Sequence, residues 1–226
     1  MKTNQVEVEI KTLVGSKEAQ ESLIARMRKI YPKLTLKKKE SQLNHYFTDG
    51  NYDKLYKNLT PYIPQVDQER FREIVLQGKN HSVRTRKTDS EVLFIIKASR
   101  DQTTSENGTA RTEFEVPVEL DINELDALLL RSGFQYQAKW SRERQEYQYK
   151  EYSVSIDKNA GYGYLAEFER LVPPDSDIEG VKREIRAEMS ILSLVELPQE
   201  RLARMFEYYN KHWPEYYGTE KTFVIE

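Results

Sequence analysis

Carboxylates and cations recur in this chain two residues apart, and the acid pairs and the basic pairs fall on different stretches. Glu7 and Glu9 stand in Val6-Glu-Val-Glu-Ile-Lys11, Glu113 and Glu115 in Arg111-Thr-Glu-Phe-Glu-Val116, and Glu167 and Glu169 in Leu165-Ala-Glu-Phe-Glu169. Arg84 and Arg86 form one basic pair and Arg142 and Arg144 another, with Lys11, Lys97, Arg111 and Asp157 as single charges. A spacing of two is the period of a β-strand, so each pair projects from one face while the apolar residues between project from the other. Two carboxylates about 7 Å apart along a strand repel each other unless cations lie beside them. Arginine forks match phosphate oxygens, lysines neutralise them as point charges, and carboxylates hold hard divalent cations that bridge the same phosphates. The pattern therefore suits capture of a polyanion together with metal. A solvated face of an open antiparallel sheet also alternates, and ion pairing in water accounts for any single pair. Segregation by sign, with acid pairs on three stretches and basic pairs on two, is what points to a ligand.

The elements that must position these charges read as follows. After the first strand, Ser16 caps a helix with Ala19, Leu23, Met27 and Ile30 on its buried side and Pro32 beyond its end. Lys37, Lys38 and Lys39 form a charge run at a solvated strand end. Leu43 to Thr48 is a strand that stops at Asp49-Gly50. The insertion at about 51–79 holds a helix that Asp67 caps and Gly78 ends, with Phe71, Ile74 and Val75 buried; it is a lid or a packed excursion. Strands follow at Ser82–Lys87 and at Val92–Ala98, the second placing Leu93, Ile95 and Lys97 on one side. Asp101 to Gly108 reads as a hairpin loop, and Arg111–Val118 as the second acidic strand. Asp121 with Glu124 has capping-box spacing before Leu125, Leu128 and Leu129, and Gly133 closes that helix. Trp140–Tyr149, Ser153–Asp157 and Tyr164–Arg170 complete about eight strands. A helical extension at about 176–217 starts from a cap at Ser176 or Asp177 and resumes at Pro198; its aromatic residues from Tyr208 to Tyr217 are expected to pack on the body or on a partner chain.

The chain's 226 residues suffice for one domain over 1–226 with these helical additions. A net charge of −2 hides a charged fraction of 32%, so duplex nucleic acid is not an indicated partner. No apolar run reaches the roughly 18 residues that span a bilayer, so no membrane is expected and a cytoplasmic location is. There is no cysteine and there are only three histidines, so an all-oxygen site favours Mg²⁺ or Mn²⁺ over Zn²⁺.

In order along the chain, Glu7-x-Glu9-x-Lys11, Arg84-x-Arg86, Lys97, Arg111-x-Glu113-x-Glu115, Arg142-x-Arg144, Asp157 and Glu167-x-Glu169 resemble the CYTH superfamily, the triphosphate tunnel metalloenzymes. The resemblance implies an α+β, mainly β fold: a closed eight-stranded antiparallel barrel with a charged interior and surrounding helices. It implies that Glu7, Glu9, Asp157, Glu167 and Glu169 hold metal, with Glu113 and Glu115 supporting metal or water. Arg84, Arg86, Lys97, Arg111, Arg142 and Arg144 would bind phosphate, Lys11 would bind phosphate or assist proton transfer, and Lys11, Glu169 and Arg84 would carry catalysis. His45-Tyr46-Phe47 resembles the family's second strand, whereas Thr48-Asp49 reverses its usual acid-then-Thr order and the 51–79 insertion departs from it. The implied activity is metal-dependent removal of the terminal phosphate from a small linear triphosphate, inorganic or organic. An adenylyl cyclase of class IV type is the alternative, and a non-catalytic binder of polyphosphate or triphosphate ends a further one. A homodimer is compatible with this reading.

Overall fold

The computed structural model describes residues 6–99, 111–173 and 175–226; the loop expected at 101–108 lies outside them. Eight strands form one antiparallel sheet: β1 (Val6–Gly15), β2 (Thr35–Thr48), β3 (Lys79–Lys87), β4 (Val92–Ser99), β5 (Arg111–Pro117), β6 (Gln135–Tyr149), β7 (Tyr152–Asn159) and β8 (Gly163–Val172), in the spatial order β1-β8-β7-β6-β2-β3-β4-β5. Six helices accompany them: α1 (Lys17–Ile30), α2 (Tyr52–Leu59), α3 (Gln68–Gln77), α4 (Ile122–Arg131), α5 (Ile178–Ile191) and α6 (Gln199–Tyr216). The α+β expectation holds.

The strand pairings among the described residues do not close the sheet into a barrel. β1 and β5 stand at the two ends of the strand order, with no pairing between them among the described residues. Part of the backbone of β1 is already engaged by the α5–α6 connector. The Leu197 N–H donates to the Lys11 carbonyl at 2.7 Å, and the Thr12 hydroxyl donates to the Val195 carbonyl at 2.7 Å. A connector laid on a terminal strand covers an edge that would otherwise invite a further strand.

The described chain falls into two compact units, one comprising residues 6–41 and 142–226, the other residues 42–99 and 111–141. In the first, Val8 and Ile10 of β1, Val154 and Ile156 of β7 and Ala166 and Phe168 of β8 meet Leu23 and Met27 of α1 and Ile185 and Met189 of α5. Ser16 caps α1 by accepting from the Ala19 N–H at 3.2 Å. Ile30, expected in the buried stripe, is 39% exposed; Gln20 takes a buried place instead, so the stripe ends at Met27. Asp177, rather than Ser176, caps α5. The aromatic residues of α6 pack within this unit, Tyr209 and Phe206 against Tyr162 and Tyr208 against Phe223.

In the second unit the 51–79 insertion is a packed excursion. Leu55, Leu59, Ile63, Phe71, Ile74 and Val75 are buried against Phe47, Val83, Phe94 and Phe114 of the strands. Asp67 stands at the N-cap position of α3 as expected, but it ends a 3-10 turn in helical conformation and its side chain makes no capping bond. The capping box of α4 is complete, the Asp121 carboxylate accepting from the Asn123 and Glu124 N–H groups while the Glu124 carboxylate accepts from the Asp121 N–H. No described helix is long and apolar enough to cross a membrane.

Candidate functional site

Register, not sequence distance, decides which charges meet. In the first unit β1 pairs with β8 so that Glu9 lies opposite Glu169 and Lys11 opposite Glu167. β8 pairs with β7 so that Glu169 faces Ser153 and Glu167 faces Ser155, and β7 pairs with β6 so that Asp157 faces Arg144 and Ser155 faces Glu146. Because alternate residues share a face, Glu7, Glu9, Lys11, Arg142, Arg144, Glu146, Asp157, Glu167 and Glu169 project from one side of these four strands. Three charged pairs that are far apart in the chain thus become one surface.

Ion pairs link that surface. The Lys11 ammonium donates to Glu9 and lies 3.5 Å from Glu167. Arg144 grips Asp157 with Nε at 2.7 Å and Nη2 at 2.6 Å, and Nη2 also reaches Glu167 at 2.8 Å. Arg142 donates to Asp157 at 2.9 Å. Burial alone would lower the Lys11 pKa, but the Glu167 and Glu9 carboxylates outweigh it and hold the ammonium charged well above its ordinary range. Burial likewise disfavours the charge on Arg144, and Asp157 and Glu167 more than restore it. Glu167 sits far below the usual carboxylate range: burial pushes it up, while Lys11, Arg144 and Arg142 pull it down further.

The second unit, taken by itself, also carries a charged face. Tyr46 of β2 stands opposite Arg84 of β3, Arg84 opposite Ile95 of β4 and Ile95 opposite Glu115 of β5; Asn44 faces Arg86, and Lys97 faces Glu113. Arg84 donates from Nη1 to the Tyr46 hydroxyl at 3.0 Å and from Nη2 to Glu113 at 3.1 Å. Lys97 lies 3.0 Å from the other Glu113 oxygen. Arg86 donates to Asn44 at 2.8 Å and to Glu115 at 3.3 Å. The remaining donor of Arg84, Nε, is buried and has no hydrogen-bond partner among the described residues. Such a donor is costly to leave unmade. Burial disfavours the Arg84 charge, and Tyr46 and Glu113 more than compensate. Glu113 is lowered despite burial, chiefly by Lys97 and Arg84. Arg111 occupies β5 opposite Ser99, and its side chain lies outside the described residues.

The two faces differ chemically. On the first, the carboxylates of Glu7, Glu9, Glu146, Asp157, Glu167 and Glu169 exceed the cations Lys11, Arg142 and Arg144; on the second, Arg84, Arg86 and Lys97 exceed Glu113 and Glu115. An acid-rich oxygen donor set fits Mg²⁺ or Mn²⁺. Directly opposed carboxylates such as Glu9 and Glu169 repel unless a cation intervenes, which strengthens that fit. Among the described residues no three acidic or histidine side chains are already gathered as a metal shell, since several of these carboxylates are held by Lys11, Arg142 and Arg144.

Glu146 and Asn44 were not singled out from sequence, and Tyr46 entered only as part of His45-Tyr46-Phe47. Glu146 had a signal, lying two residues beyond Arg144 on the same strand. Tyr46 and Asn44 had none beyond alternation with buried His45. Arg70 of α3 donates to the Glu113 carbonyl at 2.5 Å, a contact that no local pattern announces.

These shifts set an acid limit on stability. Carboxylates whose folded pKa is depressed stabilise the fold fully above the unfolded value of about 4.3, and that contribution is lost as pH falls toward the folded value. Glu167 and Glu113 are such groups. Urea midpoints measured downward from pH 6 should stay flat to about pH 5 and then fall, and Glu167→Gln should flatten the fall. An unchanged slope in that variant would remove Glu167 as a source of acid sensitivity.

The family model of the CYTH domain matches residues 5–201. No curated protein matches the chain. Among solved structures, a protein of Pyrococcus horikoshii OT3 aligns with 19% identity and a TM-score of 0.59 over 89% of this chain and 98% of that one. A candidate adenylate cyclase from Vibrio parahaemolyticus aligns with 12% identity and a TM-score of 0.60 over 91% and 99%. A candidate adenylyl cyclase from Hippeastrum, reported to have a dominant triphosphatase activity, aligns with 16% identity and a TM-score of 0.52 over 84% and 89%. At these identities the likeness concerns the fold.

Proposed function

Because this chain belongs to the CYTH domain family, we propose that it is a metal-dependent phosphohydrolase that removes the terminal phosphate of a linear triphosphate. The observation that carries this reading is the buried Nε of Arg84, a charged donor on a guanidinium held by Tyr46 and Glu113, with no hydrogen-bond partner among the described residues. The triphosphatase activity of the Hippeastrum protein supports it as an analogy of fold.

In this reading Arg84, Arg86 and Lys97 bind phosphate oxygens, and Lys11, Arg142, Arg144 and Arg111 serve the same purpose. Glu113 and Glu115 hold Arg84, Lys97 and Arg86 in place. Glu7, Glu9, Asp157, Glu167 and Glu169 would hold Mg²⁺ or Mn²⁺, which when bound neutralises charge on the phosphate oxygens. Water attacks the terminal phosphorus, the bond to the bridging oxygen breaks, and phosphate and a diphosphate leave. Phosphoryl transfer asks for position and charge more than covalent assistance. Lys11, which donates to Glu9 and lies 3.5 Å from Glu167, would neutralise the substrate or assist proton transfer.

Phosphorus NMR of the protein with tripolyphosphate, thiamine triphosphate and ATP, each with Mg²⁺ and then Mn²⁺, tests the proposal. Phosphate plus a diphosphate supports it; cyclic AMP with diphosphate from ATP replaces it by the cyclase; no turnover of any of the three sets it aside.

One feature favours an organic substrate. Trp140 lies edge-on to Tyr46, with ring centroids 6.4 Å apart, and Tyr46 accepts from Arg84. An aromatic pair next to a phosphate-binding arginine suits a base or a similar ring. Stacking of that kind is worth about 1–3 kcal/mol by alanine substitution. Trp140→Ala should therefore lower kcat/KM for ATP about tenfold while leaving tripolyphosphate within about twofold. Equal losses on both substrates would assign Trp140 a packing role.

A further inference from the structure

Behind the arginine face of the second unit lies a buried carboxylate that the proposed reaction does not use. Asp126 of α4 is 2% exposed, and it accepts three hydrogen bonds of 2.7 Å: from His45 Nδ1 of β2, from the Thr85 hydroxyl of β3 and from the Tyr136 hydroxyl of β6. His45 and Thr85 are themselves 3% and 0% exposed, and they stand opposite each other in the β2–β3 register. Each donor on those two strands is a direct neighbour of residues on the other face. Thr85 lies between Arg84 and Arg86; His45 lies between Asn44 and Tyr46. Arg84 in turn donates to Tyr46, and Arg86 to Asn44.

We propose that Asp126 is a positioning residue for phosphate binding: by tying His45 and Thr85 to α4 it fixes the height and register at which Tyr46 presents Arg84 on the opposite face. The inference rests on the phosphate role proposed for Arg84. Two arguments separate it from mere packing. A leucine at position 126 would join α4 to the sheet without burying a charge, and apolar replacements of buried ionic groups are often neutral or stabilising. A carboxylate contributes what a leucine cannot, since it accepts only specific donors at specific heights. A one-residue slip of β3 would exchange the faces of Thr85 and Arg84 and bring a guanidinium against α4. Burial raises the Asp126 pKa, yet the bonds from His45, Thr85 and Tyr136 lower it on balance, so the acceptor stays ionised.

The test uses Thr85→Val, which keeps shape and burial and removes one tie, with Asp126→Asn as the stronger variant. The affinity for tripolyphosphate is measured by calorimetry in the wild-type chain, in T85V, in R84A and in the double variant, with urea unfolding of each. T85V is expected to weaken binding about fivefold in the wild-type background, the scale of one hydrogen bond, and less than twofold when Arg84 is absent. D126N should weaken it further with the same dependence on Arg84. Equal losses in both backgrounds, or losses that merely track the folded fraction, would overturn the positioning role. Absence of binding by the wild-type chain would overturn the phosphate reading itself, and this inference with it.

Discussion

Arg84→Ala should reduce kcat for the preferred triphosphate by about 10²–10³, the scale found when one preorganised donor to a developing charge is removed. The expectation follows from how the guanidinium is committed. Nη1 is held by Tyr46 and Nη2 by Glu113, so the side chain arrives with its orientation already set, and Nε has no partner among the described residues. Preorganised donors cost no rearrangement when charge moves onto the phosphate oxygens. The loss should not reflect unfolding, because Glu113 keeps Lys97 at 3.0 Å when the arginine is gone. Arg84→Lys preserves the charge but cannot hold Tyr46, Glu113 and a ligand oxygen together, and should recover less than a tenth of the lost rate. Steady-state kinetics on the substrate identified by phosphorus NMR decide the matter, with urea unfolding as control. Turnover of R84A within tenfold of the unchanged chain would remove Arg84 from the site.

Much of this arrangement was legible because the strand period is two. Alternation alone assigns Glu7, Glu9 and Lys11 to one face, Arg84 and Arg86 to one face, and Lys97 to the side of Ile95, and the structure keeps those assignments. The capping box at Asp121 and Glu124 was legible for a similar reason, since it is a local geometry with a local signal. Neighbourhood across the sheet was not. That β1 lies beside β8, so that Glu9 meets Glu169, is a pairing between residues 160 positions apart, and nothing in either strand encodes it. Lys37, Lys38 and Lys39 are the solvated strand end they were read as, but the strand was read only from Leu43, whereas β2 begins at Thr35. Closure was expected from family resemblance, a property of the whole sheet that alternation cannot supply; the Leu197 bond to Lys11 depends on a connector read only as the gap between two helices. Asp126 was the least visible. An acid two residues from Glu124 in a leucine-rich helix reads as its wet side, and only the approach of His45, Thr85 and Tyr136 shows otherwise.

Asp157→Ala should lower the free energy of unfolding by about 3–5 kcal/mol, the range for removing one partner of a buried ion pair. Asp157 is 1% exposed and binds two arginines at once, Arg142 through one contact and Arg144 through a two-pronged grip. Its loss leaves two guanidinium groups close together on one face with Glu167 as the acceptor that remains for Arg144, 2.8 Å away. Asp157→Asn retains volume and one acceptor oxygen, so it should fall between the two. Urea unfolding at pH 7 measures both, and losses below about 1 kcal/mol in each would show that the pairing is not a structural clamp. The same variant also reports on ligand. If Arg142 and Arg144 bind phosphate, tripolyphosphate without added metal can take the place of the missing carboxylate. Its stabilisation of D157A, which grows with the logarithm of ligand concentration over Kd, should then exceed its stabilisation of the unchanged chain. A smaller or equal stabilisation would mean that these arginines serve Asp157 and Glu167 alone, and the phosphate role would contract to Arg84, Arg86 and Lys97.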